Sequence, residues 1–419
     1  MPKEPPPGSV VIVGASLAGL RCAETLRSLG HEGSITVVGD ETGAPYDRPP
    51  LSKQVLAGEW EPARVLLRDE EELEALDVTW HRGTPAVVLD VGSRSVTLGS
   101  GEMVTGDAVV IATGARPRGL PGVAVPDGVF TLRTLDDALA IRDRLDNASR
   151  VVVVGAGFIG SEVAATCRSL GLGVTVLEAL PVPMERALGP EMGAALGRLH
   201  EAHGVDVRCG TGVEGFEGDD GVTGVRTSDG SVVPADLVVV GIGVVPNTEW
   251  LAGSGLPLDD GVVCDECCTA APGIYAAGDV ARWENPRFGD VMRVEHWTNA
   301  AEMGMYVARR LLDAAAGMDT EPFAPVPFFW SDQYDLPIQF AGHTRPGDTV
   351  EIVHGDGTDH RFVALFAHGE DLTGVLGVSM PREVMGFRRM ISRGATIHEA
   401  RDSVADDTVG SETVRGGAT

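Results

Sequence analysis

Two stretches of the chain share one pattern of apolar and polar positions. A β-branched run leads into glycines and then into a helix with one apolar face, over Val10 to Leu29 and again over Val151 to Leu170. Each helix is followed by a short apolar run, Ile35-Thr36-Val37-Val38 and Val174-Thr175-Val176-Leu177. The spacing therefore predicts two βαβ units with right-handed crossovers, a repeated nucleotide-binding unit that implies two ligands. Apolar runs that break at glycine, Asp107 to Gly114 and Asp236 to Gly243, read as the exits of these units. From Phe323 the texture changes to prolines and alternating strands such as Arg361 to Phe366, which predicts an α+β domain. The fold class expected is α/β, with two Rossmann-like dinucleotide-binding domains and this C-terminal α+β domain. Beyond Asp406 the polar, Gly- and Thr-rich composition predicts a flexible tail.

Composition narrows the class without naming a chemistry. At 419 residues, two or three domains are expected, and 43% apolar and 22% charged residues with a mean hydropathy of +0.06 suit packed cores. The net charge of −28 repels nucleic acid and anionic lipid, so neither is an expected partner. No apolar run approaches the ~20 residues of a membrane span, and Met1 to Pro7 lacks the apolar core of a secretory signal, so a soluble, cytoplasmic protein is expected. Six scattered cysteines fit a reducing compartment. Only Lys3 and Lys53 are lysines among 33 basic residues.

Gly155-Ala156-Gly157-Phe158-Ile159-Gly160 lies between a predicted strand and a predicted helix. Its glycines allow a tight turn, close approach of pyrophosphate, and close helix packing, with the helix N-terminus facing the phosphates. Glu178 ends the next strand, where a carboxylate accepts two ribose hydroxyls but repels a 2′-phosphate; this favours NADH over NADPH, although Arg186 offers NADPH a cation. The first motif, Gly14-Ala15-Ser16-Leu17-Ala18-Gly19, has Ser16 where the second glycine usually stands. Its acidic partner is Asp40 or Glu41, unless both are solvated turn acids. Gly278-Asp279 ends a third short strand, where Gly278 admits backbone and Asp279 can accept a ligand hydroxyl. In Asp47-Arg48-Pro49-Pro50-Leu51-Ser52-Lys53 an arginine-writing sequence has written lysine. That suggests a need for a compact point charge and not a planar fork, against the alternative of a surface lysine.

These pieces, with Ala112-Thr113-Gly114, Leu132-Arg133-Thr134, Val294 to Ala300 and Phe329-Trp330-Ser331-Asp332-Gln333, resemble the FAD-dependent ferredoxin reductases of bacterial oxygenase systems, the putidaredoxin, rhodocoxin and biphenyl dioxygenase reductase type. The resemblance covers nearly the whole chain. It implies an FAD-binding domain over 8–114 and 243–322, an NAD-binding domain over 115–242, and a C-terminal domain over 323–405. It implies FAD contacts from Gly14, Ser16, Leu17, Ala18, Gly19, Asp40, Glu41, Arg48, Lys53, Ala112, Thr113, Gly114, Arg133, Gly278, Asp279, Glu295, His296, Trp297 and Trp330. For NAD it implies Gly155, Gly157, Phe158, Ile159, Gly160, Glu162, Glu178, Arg186 and Gly243. Lys53, Glu162 and Trp297 take the catalytic places, Glu162 beside the nicotinamide. Core packing is the alternative for the two tryptophans.

Flavin disulfide reductases place two cysteines soon after the first βαβ unit, whereas here no cysteine occurs between Cys22 and Cys167. Cys264, Cys267 and Cys268 lack a second pair or a neighbouring His, so no metal site is expected. The activity implied is transfer of hydride from NADH to FAD and of single electrons to an iron-sulfur ferredoxin serving a heme-thiolate monooxygenase or a Rieske-type oxygenase. The alternatives are direct reduction of quinone, rubredoxin or oxygen, and a redox-sensing flavoprotein resembling apoptosis-inducing factor. Because ferredoxins are acidic like this chain, docking needs a basic patch, expected at Arg309, Arg310, Arg388, Arg389 and Arg393 unless these are solvated helix charges.

Overall fold

The computed structural model describes residues 7–356 and 360–404, and the expected tail over 406–419 lies outside them. The α-helices among these residues include α1 (Leu17–Ser28), α2 (Glu70–Ala75), α3 (Leu135–Leu145), α4 (Phe158–Ser169), α5 (Glu185–Ala202), α6 (Trp297–Ala316) and α7 (Pro381–Ser392). None is long and apolar enough to cross a membrane. The described residues pack into two compact units, one of residues 7–50, 60–118 and 244–325, the other of 51–59, 119–243, 326–356 and 360–404.

In the first unit, a six-stranded sheet runs in the order Thr269–Ala271, Ile274–Ala276, Ala108–Ile111, Ser9–Val13, Ser34–Val38, Thr79–His81. Its β-branched strands are buried on both faces, which is why they read as continuous apolar runs. Ser9–Val13 pairs in parallel with Ser34–Val38 on one side and Ala108–Ile111 on the other. The strand order therefore reverses at the end of Ser9–Val13, and the crevice of an open α/β sheet forms there. Helix α1 packs closely on α6, because Gly304 has no side chain: a Cβ on it would stand 2.3 Å from the Ala18 carbonyl oxygen.

The second unit repeats the design with five parallel strands in the order Asp206–Arg208, Gly173–Leu177, Arg150–Val154, Leu237–Val240, Val129–Thr131. Here the order reverses at Arg150–Val154. The same unit contains a five-stranded antiparallel sheet, Phe328–Gln333, Leu336–Gly342, Asp371–Val378, Phe362–His368 and Thr349–His354 in spatial order. Leu188, Met192, Leu196 and Leu199 of α5 share one core with Phe340, Phe362, Phe366 and Leu376 of that sheet. The shared core places the C-terminal strands and the second βαβ unit in one compact body. Phe362–His368, expected to alternate, is buried on both faces along six of its seven residues, since α7 and α5 leave little of that sheet to water.

One imidazole is sealed into this shared core. His200 of α5 is 2% exposed, and burial pushes its pKa from 6.5 down to about 4. An imidazole held below its unfolded value stabilises the fold above pH 6.5 and loses that contribution as pH falls towards 4. At pH 5 the loss should be about 2 kcal/mol relative to pH 7. Thermal unfolding of His200→Gln, which cannot gain the charge, should therefore show a flatter pH dependence between 7 and 5; equal slopes in variant and wild type would remove His200 as the cause.

Candidate functional site

Each βαβ unit ends its first strand in a turn too tight for side chains. Gly14 has φ +126°, and a Cβ there would meet the Ala112 carbonyl oxygen at 2.0 Å; a Cβ on Gly19 would meet the Gly14 oxygen at 1.9 Å. Gly155, with φ +97°, and Gly160 are forced in the same way by the Gly241 and Gly155 oxygens, at 2.4 and 2.1 Å. The middle position differs. A Cβ on Gly157 meets nothing within 4 Å, so packing does not require glycine, and the space beside the α4 N-terminus is open to a ligand. At the matching place Ser16 stands as the N-cap of α1, extended and with no side-chain capping bond. Both helix N-termini thus offer unpaired backbone N–H groups and positive dipole ends, the arrangement a pyrophosphate needs.

In the first unit, charged and aromatic groups gather round this turn. Arg48 donates to Glu41 Oε1 at 2.7 Å and to the Tyr46 hydroxyl at 3.2 Å, and that hydroxyl donates to Glu41 Oε2 at 2.5 Å. Burial opposes the charge on Arg48, but Tyr46, Glu41 and Asp279 outweigh it and raise the guanidinium's pKa. Glu41 is thereby a partner of Arg48, while Asp40 is exposed. Gly278 has φ +76°, and a Cβ on it would stand 3.1 Å from that of Ala18, so the Gly278–Val280 turn carrying Asp279 lies against the start of α1. Ala112 donates its N–H to Val13, and Thr113 and Asn247 exchange bonds at 2.8 Å, fixing the Ala112-Thr113-Gly114 break. His296 is the N-cap residue of α6 and half-buried, and desolvation pushes its pKa down to about 4 against the pull of Asp279. Trp297, the first residue of α6, donates its indole N–H to Asp47 Oδ1 at 2.6 Å, so it is oriented by a polar partner and not by core packing alone. Glu295 accepts from Arg293 at 2.7 Å near the surface.

The second unit places an acid at the end of Gly173–Leu177. Glu178 Oε2 accepts the Ala156 N–H at 2.7 Å and Oε1 accepts the Leu180 N–H at 2.9 Å, so the carboxylate ties the glycine turn to its own loop. Gly243, with φ +99°, also has open space where a Cβ would be. Arg186 and Ile159 are exposed, while the ring of Phe158 lies 4.2 Å from that of Phe329. Arg133 donates its backbone N–H to Asp137, just before the Thr134 cap of α3.

Lys53 is not a surface lysine. It belongs to the second unit, where its ammonium, 11% exposed, stands 3.0 Å from Oε2 of Glu162, 4% exposed on α4. Ser52 donates to the same oxygen at 2.5 Å, and Ser331 donates to Oε1 at 2.8 Å. Sequence reasoning singled out Lys53 and Glu162 separately but gave no role to Ser52, Ser331, Tyr46 or Asp47. The available signal was the period of two in Phe329-Trp330-Ser331-Asp332-Gln333, which puts Ser331 and Gln333 on the inward face and Trp330 on the other. The arginines expected to dock a partner fall in different units: Arg309 and Arg310 on α6, Arg388, Arg389 and Arg393 at α7. Arg388 donates to the Val326 carbonyl and covers the Phe328 ring, whereas Arg389 and Arg393 are exposed.

Known proteins share this arrangement. Residues 8–304 match the family described as pyridine nucleotide-disulphide oxidoreductase, and residues 328–410 match the reductase C-terminal domain. The chain is 41% identical over 388 residues to rhodocoxin reductase of Rhodococcus erythropolis, covering 92% of this chain and 89% of that one. It is 36% identical over 407 residues to the ferredoxin–NAD(+) reductase component of the anthranilate 1,2-dioxygenase system of Burkholderia cepacia, covering 96% and 98%. Among solved structures, the covalent putidaredoxin reductase–putidaredoxin complex matches with a TM-score of 0.87 at 35% identity, over 92% of this chain and 93% of that one. The chain therefore belongs to the pyridine nucleotide-disulphide oxidoreductase family, with the reductase C-terminal domain.

Proposed function

We propose that this chain is an FAD-dependent NADH:ferredoxin reductase, serving an oxygenase through an iron-sulfur ferredoxin. The observation that carries the reading beyond the family is the state of the thiols. Cys22, on α1, is fully buried and its pKa is pushed up to about 12; no other cysteine precedes Cys167, whose thiol is likewise buried and pushed up to about 12. Neither of these two thiols offers a thiolate to start a disulfide relay beside the first glycine turn, which favours an external acceptor for the electrons. Bound FAD supplies the conversion of a two-electron donor into one-electron output.

The residues supply binding and charge. Gly14, Gly19, Ser16, Leu17 and Ala18 offer the FAD pyrophosphate backbone donors, Asp279 and Glu41 with Arg48 the polar contacts, and Trp297 an oriented aromatic wall. Gly155, Gly157 and Gly160 hold the NADH pyrophosphate. Glu178 receives the adenosine ribose with lone pairs not used by Ala156 and Leu180, and Glu162 faces the nicotinamide with Lys53 balancing its charge. Phe158 and Trp330 bound that end, and the neutral His296 adds no charge to the flavin side.

Three measurements test this. Glu178→Ala should raise the NADH Michaelis constant about 10- to 100-fold, from the loss of a charged ribose contact and of the tie to Ala156, with flavin content unchanged. An unchanged constant would remove Glu178 from the site. Cytochrome c reduction driven by NADH should rise strongly when an iron-sulfur ferredoxin is added, and NADPH should substitute poorly. Replacing the exposed Arg389 and Arg393 by Glu should lower kcat/KM for ferredoxin about threefold to tenfold and leave NADH oxidation by a small dye untouched. Equal losses with ferredoxin and dye would sink the docking role, and a flavin reduced by NADH without any gain from ferredoxin would favour direct reduction of a small acceptor.

A further inference from the structure

The strand Phe328–Gln333 turns three side chains inward, Phe329, Ser331 and Gln333. Phe329 does what a core position should and packs against Phe158 with the two rings tilted, stacking instead on Phe340. Ser331 and Gln333 are both fully buried, on a face where apolar residues would pack without any polar group to satisfy. Their hydroxyl and carboxamide are spent on one target. Gln333 donates its amide to Ser331 Oγ at 3.1 Å, which occupies the hydroxyl's acceptor side and leaves its proton to Glu162 Oε1 at 2.8 Å.

The other donors to Glu162 come from one place. Ser52 and Lys53 are neighbours in sequence, and both reach Oε2. Held by that oxygen alone, the carboxylate could swing about its terminal torsion, which has a broad minimum. A donor on Oε1 from a different element removes this freedom, and Ser331 is that donor. Behind Gln333 the packing is again polar. His200 Nδ1 pairs with the Tyr334 hydroxyl at 3.0 Å, and its other nitrogen faces the Gln333 carboxamide. The ring of Tyr334 stacks on His203 at 3.7 Å, closing the row at the surface.

We propose that Ser331, held by Gln333, is a positioning residue for the nicotinamide end of the NADH site: it locks the rotation of the Glu162 carboxylate that faces the nicotinamide. The inference rests on the assignment of NADH to the second glycine turn. It gives the C-terminal strands a part in cofactor binding that their distance in sequence from that turn does not suggest.

The test separates the nicotinamide end from the rest of the cofactor. Equilibrium binding of NAD+ and of ADP-ribose, which lacks nicotinamide, is measured by calorimetry on the full-length holoenzyme. Ser331→Ala should lower the affinity ratio of NAD+ to ADP-ribose about threefold to tenfold, with ADP-ribose affinity unchanged, and Ser331→Thr should restore the ratio. The limiting rate of flavin reduction by NADH should fall in the same variant more than its NADH affinity. Gln333→Leu, which leaves Ser331 in place but unheld, should give a smaller fall in the ratio. A wild-type ratio in both variants, or a parallel loss for both ligands, would overturn the positioning role. A wild-type enzyme that binds neither NAD+ nor ADP-ribose would instead remove the NADH assignment itself.

Discussion

The constraint on which the rest depends is the contact of backbone with backbone at two strand-to-helix turns. Where a Cβ on Gly14 or Gly155 would fall about 2 Å from a neighbouring carbonyl oxygen, only glycine lets the helix start directly over the end of the strand. That start fixes the direction of α1 and of α4, and with them the open N–H groups that face the crevice. The helix then determines what else reaches it: α1 admits α6 because Gly304 can touch Ala18, and α4 carries Glu162 inward.

A buried ion pair is a poor means of stabilising a fold, because removing two charges from water costs several kcal/mol per ion. Lys53 and Glu162 survive burial because the carboxylate receives three donors in all. Replacing the set by apolar side chains of similar volume would be neutral or better for stability. Retaining a hydrogen-bonded polar cluster instead is what a working site requires, and the same logic covers Trp297, whose indole is directed by Asp47 at the head of α6.

Much of this was legible in the sequence. The two βαβ units were, because β-branched runs, glycines and amphipathic helices each leave a periodic signal, and the register of Ser9–Val13 against its neighbours follows from that pattern. Glu178 was legible as an acid at a strand end, but its grip on the Ala156 N–H was not, since a bond across 22 positions depends on the curvature of the turn. Ser52 and Ser331 were illegible as partners of one carboxylate: they lie 279 positions apart by number, and serine in a turn or strand carries no signal of what it will meet. Lys53 showed only as an oddity of composition, and packing made it an ion-pair partner. The grouping of the C-terminal strands with the second unit depends on which face of α5 is apolar, a property the kink at Gly189 and Pro190 obscures in the sequence.

The scarcity of lysine has a spectroscopic side. Because arginine supplies nearly every positive charge, the protein contains two side-chain ammonium groups, on Lys3 and Lys53. Feeding isotopically labelled lysine would therefore place two side-chain signals in a spectrum of a 43.8 kDa protein, and one of them sits directly on the Glu162 carboxylate. Evolution of an arginine-rich composition has left the ion pair at the centre of the second unit with its own nearly background-free reporter.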